Sequence, residues 1–319
     1  MLLDPELAEF LKNVSESGNK AFEIMSIDDM RQATKRLSVF YGDVEPVHKV
    51  ETRAIKADDH DFLVRIYHPS PAKKLPMLLY FHAGGYVRGD VELCDPICRK
   101  IANRSSCIVI SVNYRLAPED KFPAALEDAY TTLCFAHRYA HEIGGSKDHI
   151  AVAGDSTGGN LATVLTLLTR ERKGPKISFQ ILMYPVVDYT YSFPSHEKFA
   201  KGYFMTEEAL KFYESQYFPP DADRKDPYIS PYFIKHFDNL PPAYIITAEC
   251  DPVRDEGEAY AEKLKKSGIK VVHYRFKGTM HAFIYFSPIS KKADEAIFSV
   301  AEALHGFFRE TIEKALHGQ

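Results

Sequence analysis

The chain has 319 residues, 45% of them hydrophobic and 26% charged, which is enough to bury one large core. Its formal net charge of -4 excludes the basic excess that nucleic acid or an anionic membrane surface would require of a partner. Five cysteines, an odd number in so large a chain, argue against a disulfide framework and for a reducing, cytoplasmic setting.

The N-terminal MLLDPELAEFLKNV lacks a basic n-region and a sustained apolar h-region, so it does not read as a signal peptide. No apolar run approaches the ~18 residues of a membrane span. To about residue 45 the pattern reads as two short helices, and 49–55 as an edge strand. Short apolar, β-branched runs then recur at 62–67, 77–81, 108–112, 150–153, 178–183, 243–247 and 271–276. Amphipathic stretches of helical length, such as 123–141, 158–172 and 255–267, lie between the later runs. Strands alternating with helices imply an α/β fold with a mostly parallel sheet covered on both faces. Cys94 and Cys98 share a helix face, but no His or second Cys pair joins them at zinc-ligand spacing, so no metal site is expected.

Residues 189–240 break the alternation and hold 14 aromatic side chains in 52 positions, twice the chain's 13%. Such an insertion can cover an apolar cavity, pack its own small core, or do both.

The sharpest local signal is IAVAGDSTGGN, residues 150–160. An apolar strand enters Gly154-Asp155-Ser156-Thr157-Gly158 and an amphipathic helix follows, the strand–turn–helix context that a G-x-S-x-G nucleophile elbow needs. The turn must be strained to project Ser156 Oγ at the sheet edge, and the helix N-terminus behind it favours an oxyanion. Upstream, the strand at 77–81 ends in His82-Ala83-Gly84-Gly85. Small residues there let backbone N–H groups approach a ligand, so the amides of Gly84, Gly85 and Thr157 are candidate oxyanion donors. A general base belongs on a loop after a late strand. Of thirteen histidines, His281 stands there, after Lys277-Gly278-Thr279-Met280, whereas His273 lies within the strand and His305 in the terminal helix. Asp251, just past the strand at 243–247, is placed to orient it. Asp255 and Glu256 read as helix N-terminal residues favoured by the dipole, and Arg254 as the partner of a nearby carboxylate. The order Ser156, Asp251, His281 is that of α/β-hydrolases. Cys250, beside Asp251, raises the question of whether modifying its thiol disturbs the site.

Taken together, HAGG at 82–85, NYRLAPEDKFPAALED at 113–128, GDSTGGN at 154–160, DPYISP at 226–231, DPVRDEG at 251–257 and GTMHAF at 278–283 resemble the hormone-sensitive-lipase family of α/β-hydrolases, its bacterial and archaeal carboxylesterases in particular. The resemblance covers about 75–315. It implies an eight-stranded α/β-hydrolase fold in a single domain, 1–319, with a helical cap made from 1–45 and 189–240. It implies hydrolysis of short- to medium-chain acyl esters by a Ser156–Asp251–His281 triad with Gly84, Gly85 and Thr157 at the oxyanion hole, without metal or cofactor. The partner is then a small-molecule ester, with no nucleic acid or membrane involved, and a homodimer would match many family members. Two positions depart from the family pattern: Ala83 stands where it has glycine, and Thr157 where it has alanine. The rival readings are an amidase or deacetylase on the same triad, and a non-catalytic receptor such as the plant gibberellin receptors, which lack the histidine retained here as His281.

Overall fold

The computed structural model describes residues 2–16, 25–36, 42, 44–57 and 59–316. Eight strands form one sheet: β1 (Lys49–Lys56), β2 (Asp61–His68), β3 (Leu75–Phe81), β4 (Ile108–Val112), β5 (Gly145–Asp155), β6 (Phe179–Met183), β7 (Ala243–Cys250) and β8 (Val271–Met280). Their spatial order is β1-β2-β4-β3-β5-β6-β7-β8. β1 and β2 pair antiparallel, β2 pairs antiparallel to β4, and every pair from β4 to β8 is parallel. This is the mostly parallel sheet that the run pattern implies.

Ten helices accompany it among the described residues: α1 (Pro5–Glu16), α2 (Ile27–Arg36), α3 (Asp95–Ser105), α4 (Ala124–Arg138), α5 (Ala140–Ile143), α6 (Thr157–Glu171), α7 (Pro194–Lys198), α8 (Glu207–Tyr217), α9 (Arg254–Lys266) and α10 (Lys291–Leu316). Side chains alternate along a strand, so neighbours serve opposite faces. Leu79, Ile110, Val152 and Ile245 pack with Leu133 of α4, Leu165 of α6 and Leu264 of α9. Leu78, Val109, Ala151 and Ile246 face Ile101 of α3 and Leu304 of α10. Burial on both faces is why runs such as IVISV carry no polar alternation. Each fully buried Leu or Ile contributes roughly 1.5–3 kcal/mol of transfer free energy.

The strand order reverses between β3 and β5. In such sheets the crevice outside the carboxyl ends at the reversal takes the ligand. Here that crevice receives the turn after β3, with His82–Gly85, and the turn after β5, with Ser156.

One boundary differs from the pattern reading. β8 continues through Lys277-Gly278-Thr279-Met280, which read as a loop. Its pairing with β7 jumps from Ala248↔Phe276 to Cys250↔Met280, and Gly278 adopts φ +71° within the irregularity. The Gly278 N–H donates to Glu249 Oε2 at 2.8 Å, so a side chain replaces the missing ladder bond. Polar, glycine-containing sequence looks like loop, but a bulge tolerates it.

Candidate active site

Ser156 occupies φ 55°, ψ −121°, a conformation that L residues rarely adopt. The strain is sustained from both sides. The Ser156 N–H donates to Met183 O on β6 at 2.9 Å, and the first turn of α6 presses against β3. A Cβ on Gly158 would lie 2.0 Å from Phe81 O, so only glycine permits that approach.

His281 follows β8 directly, and Ala282 turns the chain at φ 62°. His281 Nε2 lies 2.8 Å from Ser156 Oγ and Nδ1 lies 2.8 Å from Asp251 Oδ2. The carboxylate can only accept, which assigns the proton to Nδ1 and leaves Nε2 to accept from the Ser156 hydroxyl. Asp251 Oδ1 accepts the Val253 N–H at 3.0 Å, fixing the carboxylate in place. Relative exposures of 4% for Ser156, 0% for Asp251 and 1% for His281 place the chain of hydrogen bonds away from bulk water, where such contacts are strongest.

The turn after β3 brings Gly84 and Gly85 to the same cavity as Ser156, Thr157 and His281. Gly85 adopts φ +66°, and a Cβ there would strike the Tyr213 ring of α8 at 2.3 Å. Its N–H donates to Thr157 Oγ1 at 3.1 Å. His82 holds the turn from below. Its Nδ1 lies 2.8 Å from Ala83 O, its ring stacks on Tyr114 at 4.3 Å, and Tyr114 Oη donates to His82 O at 2.7 Å. Burial pushes the His82 imidazole down to about 4, so it stays neutral and donates from Nδ1.

Two buried carboxylates near the site, Asp155 and Glu256, have partners that their sequence neighbourhoods do not announce. Asp155, next to Ser156, accepts from Tyr80, Tyr285 and Tyr184 at 2.9, 3.2 and 3.3 Å. Burial raises its carboxyl to about 6 despite those donors. The Tyr184 ring stands 5.0 Å from that of His281. Glu256 is fully buried rather than a simple dipole partner of α9. Its Oε1 accepts the N–H groups of Val187 at 2.6 Å and Asp188 at 3.2 Å, and its Oε2 meets His196 Nε2 at 2.6 Å. That cluster ties α7 and the start of the insertion to α9. Arg254 pairs with Asp255 at 2.7 Å. Cys250 is buried, and desolvation pushes its thiol up to about 11, so it carries little thiolate. His273 Nε2 contacts Thr247 Oγ1 at 3.0 Å, far in role from Ser156.

The insertion's rings divide between two tasks. Tyr189, Phe204, Tyr213, Tyr217 and Phe218 line the cavity, while Phe193 packs on Tyr232 and Phe199 on Tyr203. The N-terminal helices join the same side. Leu7 and Phe10 of α1 pack with Phe199, Cys250, Met280 and Phe286, and Thr34 of α2 accepts from Arg88 Nη1 at 2.8 Å. No helix among the described residues is long and apolar enough to cross a membrane.

A family profile described as alpha/beta hydrolase fold matches residues 78–285. The chain belongs to the hormone-sensitive-lipase-like α/β-hydrolases. The hydrolase is 35% identical over 285 residues to an arylesterase of Saccharolobus solfataricus, covering 89% of this chain and 93% of that one. It is 34% identical over 317 residues to an ethyl acetate hydrolase of Pseudomonas putida, covering 95% and 99%. Among solved structures, the hyperthermophilic esterase from Pyrobaculum calidifontis superposes with a TM-score of 0.92 at 38% identity, covering 96% of this hydrolase and 99% of that chain.

Proposed function

We propose that this hydrolase is a serine carboxylesterase acting on short- to medium-chain acyl esters through an acyl-enzyme. The observation that carries the reading is the buried chain Asp251–His281–Ser156, with both hydrogen bonds at 2.8 Å. His281 Nε2 takes the Ser156 proton as Oγ attacks the ester carbonyl. Asp251 holds the tautomer and stabilises the imidazolium. The amides of Gly84, Gly85 and Thr157 are the candidate donors to the carbonyl oxygen as it becomes negative. His281 then protonates the leaving alcohol, and water repeats the cycle on the acyl group.

Residues 1–45 and 189–240 act as the cap. Rings of the second segment, Tyr189, Phe204, Tyr213, Tyr217 and Phe218, border the cavity at Ser156, which supports a small acyl or alcohol group rather than a long chain. Relatives named for aryl esters and ethyl acetate support small esters as the substrate class. The test is turnover of p-nitrophenyl esters with two to sixteen acyl carbons, beside an aryl amide. Ser156→Ala is expected to abolish turnover while the far-UV circular dichroism is retained. Near-normal hydrolysis of p-nitrophenyl butyrate by that variant would refute the assignment.

A further inference from the structure

Thr157 contributes more than its amide. Its side chain meets the turn after β3, where Oγ1 accepts the Gly85 N–H at 3.1 Å. An amide has one proton, so this bond engages the Gly85 donor before any ligand arrives. A threonine hydroxyl has two lone pairs and one proton of its own. One lone pair is used by Gly85, and among the described residues nothing accepts the proton. The hydroxyl is nonetheless secluded, since Thr157 is 5% exposed, and it borders the same cavity as Ser156 and His281. An O–H whose oxygen already accepts a hydrogen bond is polarised into a stronger donor.

We propose that the Thr157 hydroxyl is a side-chain donor of the oxyanion hole, held in place by Gly85 and passing that amide's polarisation to the reacting oxygen. The inference rests on the serine-esterase reading and refines one part of it: Gly85 acts through Thr157 rather than directly. When Ser156 Oγ bonds to the carbonyl carbon, the π pair moves to oxygen and the serine proton goes to His281 Nε2. Thr157 donates a hydrogen bond to that oxygen and transfers no proton. Ser156, two backbone amides and the hydroxyl then surround the oxyanion from one residue pair, 156–157, and one facing turn.

The test compares Thr157→Val, Thr157→Ala and Thr157→Ser with the parent on p-nitrophenyl acetate, and measures affinity for an alkyl trifluoromethyl ketone, whose serine adduct carries the same oxyanion. Removing one oxyanion donor costs about 10²–10³ in kcat, and partial substitution by the released Gly85 amide lowers the expected loss to about 10–100-fold. Valine and alanine should both show that loss in kcat with KM little changed, and both should weaken the ketone by a similar factor. Serine should recover most of what valine loses. Because valine keeps the bulk and alanine removes it, a steric effect would separate them. Parent-like kcat in either the valine or the alanine variant overturns the proposal, as does a serine variant no better than valine. Failure of the unmodified protein to hydrolyse any ester would instead strike the underlying esterase reading.

Discussion

Replacing Gly158 by alanine should damage catalysis through geometry alone. The added Cβ would fall 2.0 Å from Phe81 O, 2.6 Å from Phe81 C and 2.7 Å from His82 O, all backbone atoms that cannot rotate away. Ordinary contact begins at 3.4 Å, so the start of α6 must retreat from β3 by roughly 1.4 Å. That movement separates Ser156 and the Thr157 amide, at the head of α6, from Gly84 and Gly85, which follow β3. Misplacement of about 1 Å costs on the order of 10²-fold in rate, and overpacking costs about 1–3 kcal/mol in stability. The expected outcome is a kcat on p-nitrophenyl butyrate lowered about 10²-fold, with a urea midpoint shifted downward. Gly306→Ala in α10 supplies the control. A Cβ there meets nothing within 4 Å, so it should stabilise by about 0.5–1 kcal/mol and leave kcat unaltered. A Gly158→Ala enzyme with kcat within about threefold of the parent would show that the β3–α6 approach does not position the nucleophile.

Asp251→Asn keeps the side chain's size but removes the charge behind His281 and lets the wrong tautomer form. Turnover near pH 7 should fall by about 10³–10⁴ while KM moves little, and a loss under tenfold would detach Asp251 from the chemistry. Asp155 offers a test by pH. Its carboxyl is raised to about 6 from 3.8, so the folded state holds a proton that the unfolded chain has released, and stability falls as pH rises through that window. The full penalty above pH 6 is about 3 kcal/mol. Relative to the parent, Asp155→Asn should therefore gain about that much unfolding free energy between pH 4 and pH 7, measured by urea titration at each pH. A difference that does not vary with pH would remove the titration from Asp155.

Short-range order was legible because its causes are local. The apolar runs announce strands buried on both faces, and the elbow shows itself as a strand, a strained turn and a helix within eleven residues. Asp251 and His281 could be picked out because each follows a strand in the order that the fold demands, which singled out one histidine of thirteen. The pattern ends β8 early because Lys-Gly-Thr resembles a loop, whereas the distant Glu249 side chain accepts the Gly278 N–H and sustains the bulge.

What remained hidden depends on partners distant in the chain. Glu256 reads as an ordinary acidic residue opening a helix, yet His196 and the amides of Val187 and Asp188 bury it as the anchor of the insertion. Asp155 acquires its raised carboxyl through burial, at a point where β3, the residue after β6 and the chain beyond β8 bring three tyrosines together. The aromatic insertion could be counted in advance, but which rings face the cavity is set by how α8 lies on Gly85. The residues alone thus determined the strands and the three side chains, Ser156, Asp251 and His281, that meet in one hydrogen-bonded chain, because strand burial and turn strain are encoded within a few positions. The contact between Gly85 and Thr157, and the shape of the space above Ser156, were decided only when separate segments met in three dimensions.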